Sequence, residues 1–209
     1  MKTPIIDLFA GPGGLGEGFS AFRTVHPSNN PFKIALSIEK NPIAHKTLEL
    51  RSFFRQFSFN NAPSEYYAYL KGTVKREELF AKYPLEAKAA AAEAWHAELG
   101  KMPHNEVLLR IKKALNNSRR WALIGGPPCQ AYSIVGRARM RNEDSEAFEK
   151  DHRHFLYKEY LRIIRDHKPP VFVMENVIGI LSSRVNGKYI IDKILNDLHC
   201  PSKSFHKEG

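Results

Sequence analysis

The sequence predicts an α/β fold: a mostly parallel sheet with helices on both faces and a helical insertion. Three observations predict it. Residues 4–9, 32–38, 121–124 and 169–174 are short apolar runs with the length and composition of buried strands. Stretches of helical character separate them, as parallel strands require. Each run also ends in residues suited to chemistry, and open α/β sheets bind ligands outside the carboxyl ends of their strands.

The first run, Pro4-Ile5-Ile6-Asp7-Leu8-Phe9, leads into Ala10-Gly11-Pro12-Gly13-Gly14-Leu15-Gly16. Small residues let backbone approach a ligand, and a glycine turn that opens a helix presents free N–H groups and the positive end of the helix dipole. A tight strand-to-helix turn needs glycine in any case, so the turn alone names no ligand. The second run ends in Glu39, roughly 20 residues beyond the glycine turn, the spacing at which Rossmann-type folds accept ribose hydroxyls. An ordinary glutamate ahead of a helix capped by Asn41 would leave the same sequence, and both readings stand.

The third run opens into Gly126-Pro127-Pro128-Cys129-Gln130, where two prolines hold the backbone of a lone thiol stiffly. Most free cysteines are small buried hydrophobes. Cys129 stands apart because the fourth run ends in Glu175-Asn176-Val177, a carboxylate at the same edge of the sheet. That carboxylate could equally cap the next helix. The loop from Ser133 to Arg141 alternates Arg137, Arg139 and Arg141 with small or apolar residues, a spacing that can clamp phosphates or simply be solvated.

Residues 7–14, 126–130 and 175–177 resemble, in order, the first, fourth and sixth motifs of the DNA cytosine-5 methyltransferase family. The resemblance extends from residue 5 to about residue 198, apart from a long interruption in the middle. It implies a Rossmann-like, S-adenosylmethionine-dependent methyltransferase fold acting on a cytosine rotated out of double-stranded DNA. Carbon 5 of cytosine is too electron-poor to attack a methyl sulfonium. In this reading Cys129 adds as a thiolate to carbon 6, and Glu175 hydrogen-bonds the ring nitrogen and exocyclic amine so that charge building in the ring is neutralised. The resemblance assigns the cofactor S-adenosyl-L-methionine to Phe9, Ala10, Gly11, Gly13, Gly14, Leu15, Gly16, Glu39, Lys40, Pro127 and Leu156. It assigns the substrate to Pro128, Gln130, Ser133, Arg137, Arg139, Arg141 and Asn176, with Asn176 also fixing local backbone.

Lys and Arg total 32 against 22 Asp and Glu, a formal net charge of +10, which favours a polyanionic partner. Two cysteines argue against a disulfide scaffold, and Cys200 has no motif around it. His152, His154 and His167 lack cysteine partners at zinc spacing, so no metal is expected. No run of about 20 apolar residues predicts a membrane span, and no apolar leader opens the chain. The expected setting is a bacterial cytoplasm, on the nucleoid.

Residues 58–118 read as a helical insertion, with the alanine-rich stretch 87–95 its strongest helix former. Before it, Phe53-Phe54-Arg55-Gln56-Phe57 is the candidate third strand. No clear Gly-Asp pair of the kind the family uses for the adenine amine is found. Residues 154–164 and 189–198 keep helical spacing, and the strand at 169–174 reads as buried.

The whole chain, 1–209, is read as one partial catalytic domain. The family's Gln-Arg-Arg strand motif, target-recognition domain and final helix are missing from it. It is therefore expected to be a shortened piece or one subunit of a split enzyme whose second chain carries the missing half. Three rivals stand: a module that binds cofactor or DNA without turnover, an RNA cytosine-5 methyltransferase of the same family, and a nicotinamide-dependent oxidoreductase. The last shares the glycine turn and ribose acid but leaves Cys129, Gln130 and Glu175 unexplained.

Overall fold

The computed structural model describes residues 2–24, 30–58, 61–127, 156–176, 178–182, 184–185 and 188–202. Its centre is a five-stranded, all-parallel sheet in the order β3-β2-β1-β4-β5. These strands are β1 (Thr3–Leu8), β2 (Phe32–Glu39), β3 (Ala94–His96), β4 (Ala122–Gly125) and β5 (Val171–Met174). The order reverses direction at β1, so the crossovers diverge between β1 and β4 and leave a crevice at their carboxyl ends.

Helix α1 (Gly14–Ala21) covers one face, where Leu15 and Phe19 pack on Ile5, Ile34 and Ile124. Helix α6 (His104–Leu115) and helix α7 (Leu156–His167) cover the other, where Val107, Ile111, Tyr160 and Ile163 meet Ile6, Leu8, Leu36 and Leu123. A register shift between Ile5 and Ile6 places one extra residue in β2, because Ile5 pairs with Ile34 but Ile6 pairs with Leu36. That bulge puts Ile34 with one core and Leu36 and Ile38 with the other. Each of these fully buried aliphatic side chains contributes about 1.5–3 kcal/mol.

Helix α2 (Pro42–Arg55) begins as expected at Asn41, whose side chain accepts from the amides of Ile43 and Ala44. The candidate third strand at residues 53–57 is not a strand. Residues 53–55 end α2 and Gln56 caps it, because Phe53 and Phe57, one helical turn apart, both face an aromatic cluster with Phe80 and Tyr83. That cluster holds α3 (Ser64–Leu70), α4 (Arg76–Lys82) and α5 (Pro84–Glu93) against α2. The alanine-rich helix stops at Glu93, and Ala94 to His96 form β3, the third strand of the sheet, inside the stretch read as an insertion.

Strand β5 forms the sheet edge, and Val171, Phe172 and Val173 are 57%, 40% and 42% exposed, where a buried strand was expected. Among the described residues no other strand pairs with its outer side. A 3-10 turn (Ile178–Leu181), a small antiparallel pair, β6 (Arg184–Val185) with β7 (Lys188–Tyr189), and α8 (Ile190–His199) follow. No helix among the described residues is long and apolar enough to cross a membrane.

Candidate active site

Two cavities open at the carboxyl edge of the sheet and share Phe9 and Gly126 as walls. The smaller, about 170 Å³, is lined by Phe9, Ile38, Glu39, Lys40, Ala97, Glu98, Leu99, Gly126 and Leu156. The larger, about 490 Å³, is lined by Asp7, Phe9, Ala10, Gly11, Pro12, Gly14, Leu15, Gly126 and Glu175.

Glu39 is 8% exposed, and both its oxygens are held by backbone. The Gly11 amide donates to Oε2 at 2.7 Å and the Asn41 amide to Oε1 at 2.6 Å. A carboxylate offers about four acceptor positions, so these two bonds fix its direction and leave capacity for ligand hydroxyls. One residue therefore ties the glycine turn to the start of α2 while facing the cavity. Phe9 adopts φ 55, a left-handed conformation rare for an aromatic residue, at the point where both cavities meet. The flanking backbone supports it, since the Ala10 amide bonds the Ile38 carbonyl at 3.0 Å.

The glycine turn divides its labour. Gly11 and Gly14 line the larger cavity with nothing near the position a Cβ would take. Gly13, at φ 90, is the residue before α1, and a Cβ there would lie 2.8 Å from Leu48. Gly16 is buried in α1, and a Cβ there would lie 3.1 Å from Asp7 Oδ2. Gly13 and Gly16 line neither cavity, and neither does Pro127, which is buried beside Gly126. Leu156, first residue of α7 and 5% exposed, lines the smaller cavity with Glu39.

Glu175 leaves β5 on an amide bond to the Gly125 carbonyl at 3.0 Å and lines the larger cavity. It passes so close to Gly126 that a Cβ there would be 2.7 Å from Glu175 Oε1. Glycine at 126 is thus what lets the carboxylate lie against the backbone that follows β4. Asn176 follows Glu175, exposed at the same edge. Cys129, Pro128, Gln130, Ser133, Arg137, Arg139 and Arg141 lie outside the described residues.

Sequence reasoning missed Ala97, Glu98 and Leu99, which follow β3 and join Lys40 in the smaller cavity. Lys40 Nζ is 3.3 Å from Glu98 Oε1 and Lys101 Nζ is 2.9 Å from Oε2. The Lys101 ammonium, with Lys40 beyond it, holds the Glu98 carboxyl below its ordinary range, so it stays an ionised acceptor at neutral pH. The available signal was an acid directly after Trp95-His96-Ala97, hidden by the alanine run before it.

Asp7, in β1, was read only as part of a motif. It is 1% exposed, and neither carboxylate oxygen has a hydrogen-bond partner among the described residues. Burial pushes its carboxyl up to about 7 from the usual 3.8, against the pull of Arg55 and with the push of Glu175 and Glu39. The Gly16 amide faces the carboxylate and offsets part of this, but without ordinary hydrogen-bond geometry burial dominates. Arg55 is the main pull the other way, with its two terminal nitrogens on Glu17 and Glu93.

The family model for the C-5 cytosine-specific DNA methylase matches residues 79–200. A type II methyltransferase of Bacillus paralicheniformis, M.Bpa9945I, is 35% identical over 203 residues, covering 88% of this chain and 43% of the relative. M.DdeI of Desulfomicrobium norvegicum is 28% identical, covering 91% of this chain and 32% of the relative. M.AquIA of Picosynechococcus is 28% identical over 208 residues, 100% of this chain and 61% of the relative. The chain thus spans less than two thirds of the length of each of these relatives.

Proposed function

The chain belongs to the C-5 cytosine-specific DNA methylase family, and from that premise we propose that it provides the cofactor site and catalytic groups for methylating carbon 5 of cytosine in double-stranded DNA. The observation that carries this reading is the pair of cavities meeting at Phe9 and Gly126, one holding the oriented Glu39 carboxylate and the other Glu175.

Glu39 would hold the ribose hydroxyls of S-adenosyl-L-methionine, Phe9 and Leu156 would supply apolar walls for its base, and Glu98 would accept from the adenine amine. The oriented acid, the apolar walls and the glycine turn fit such a group. When bound, it supplies an electrophilic methyl on a sulfonium. Cys129 adds through its thiolate to carbon 6 of a cytosine rotated out of the duplex, making carbon 5 nucleophilic. Glu175 holds the ring nitrogen and exocyclic amine while charge develops. After methylation, loss of the carbon 5 proton to base and elimination of the thiolate return free Cys129. Arg137, Arg139 and Arg141 neutralise phosphates, in keeping with the net charge of +10. The type II designation of the relatives supports a bacterial restriction–modification setting, with DNA in the cytoplasm as substrate.

The exposed side chains of β5 favour a second reading of the assembly. Here a second polypeptide packs beside β5. The test is transfer of labelled methyl to duplex DNA and to matched RNA, with Cys129→Ser as control and with such a polypeptide added or withheld. Incorporation into DNA that Cys129→Ser abolishes supports the reading; incorporation into RNA alone, or incorporation that survives Cys129→Ser, overturns it.

A further inference from the structure

Among the described residues, the lining of the larger cavity carries no positive charge. Asp7 lies within its lining, in β1, with both oxygens covered and unbonded among the described residues. The charged and titratable groups facing it from the packed elements are Arg55 on α2, Glu175 after β5, Glu39 at the end of β2 and Tyr160 on α7. Three of these four are acidic or phenolic. The fourth, Arg55, has both terminal nitrogens on Glu17 of α1 and Glu93 of α5. A carboxylate in that position ionises more readily when another cation enters the cavity, because a buried charge without a partner is costly.

We propose that Asp7 makes this cavity selective for the charge of its ligand, bearing a negative charge when the sulfonium of S-adenosylmethionine occupies it and taking a proton from solvent when the neutral thioether product replaces it. The inference rests on the cofactor reading above. No covalent bond to Asp7 forms or breaks: one proton leaves to buffer as the cation binds and one returns when the ligand loses its charge. Because its oxygens are covered, Asp7 acts by its field across the cavity floor and is a positioning residue. The site then favours fresh cofactor over spent product, and the preference grows with pH through neutrality.

The test is calorimetric titration of S-adenosylmethionine and S-adenosylhomocysteine into the protein between pH 6 and 8, in buffers of different ionisation enthalpy, for wild type and Asp7→Asn. Wild type is expected to release more protons on binding the sulfonium than on binding the thioether. Its affinity ratio should rise by up to roughly tenfold per pH unit, the limit for one linked group. Asp7→Asn should bind both ligands with equal proton counts and a flat ratio. Equal proton counts for the two ligands in wild type overturn the inference and leave the cofactor site standing, and this comparison holds even if the variant fails to fold. A variant indistinguishable from wild type overturns it as well. Binding of neither ligand to wild type overturns both the inference and the cofactor reading.

Discussion

Replacing Asp7 by asparagine keeps its shape and removes its charge, so the effect on stability isolates what burying that charge costs. In the folded chain its carboxyl titrates at about 7, whereas its ordinary value is 3.8. Between those values the folded state holds a proton that the unfolded state has released. Stability is therefore greatest below 3.8 and falls as pH rises through about 7. Each unit of difference is worth about 1.4 kcal/mol, so ionised Asp7 destabilises the fold by roughly 4 kcal/mol at alkaline pH. Asparagine mimics the protonated form at every pH. About two of the three units of difference are traversed between pH 5 and pH 8, so the variant's advantage should grow by roughly 3 kcal/mol over that window. Urea unfolding followed by circular dichroism for both proteins at pH 5 and pH 8 measures this directly, and titrations common to the two proteins cancel. An advantage that stays constant with pH, or shrinks, would refute the reasoning, since it would mean that Asp7 finds a partner on ionising.

Three further outcomes follow from the same geometry. Glu39→Gln should weaken S-adenosylmethionine binding by on the order of 10–100-fold with the fold intact by circular dichroism, because hydrogen bonds to a charged acceptor contribute about 1.5–3 kcal/mol. Gly126→Ala places a methyl 2.7 Å from Glu175 Oε1, so the carboxylate must move. The rate of adduct formation on 5-fluorocytosine DNA, measured by gel shift, should drop on the order of 100-fold while cofactor affinity stays within a few-fold. Arg55→Met leaves Glu93, 10% exposed, as an unpaired carboxylate and should lower the urea unfolding free energy by about 3–5 kcal/mol.

The strands β1, β2 and β4, with the acids and glycines at their ends, were legible because central parallel strands are buried on both faces and read as unbroken apolar runs. Strand β3 was not, because three residues directly after an alanine-rich helix carry no period of their own, and their pairing with Ser37 to Glu39 is decided by the sheet. The run 53–57 misled for the opposite reason. Its aromatics look like a strand, yet Phe53 and Phe57 share one helical face that only the neighbouring helices reveal. Losing β3 also hid Glu98. The exposure of β5 was beyond the sequence, since an apolar strand reads alike whether or not something covers its outer side. Asp7 shows a further limit: a motif names the residue, but its missing hydrogen bonds belong to the folded interior.

Glu39 and Phe9 line the proposed cofactor site. Its most direct test is the titration of S-adenosylmethionine into the wild-type chain beside Glu39→Ala. Saturable binding at one site per chain, lost in the variant while its circular dichroism is retained, is the result the account predicts. Absence of binding to wild type, or binding unchanged by Glu39→Ala, would contradict it.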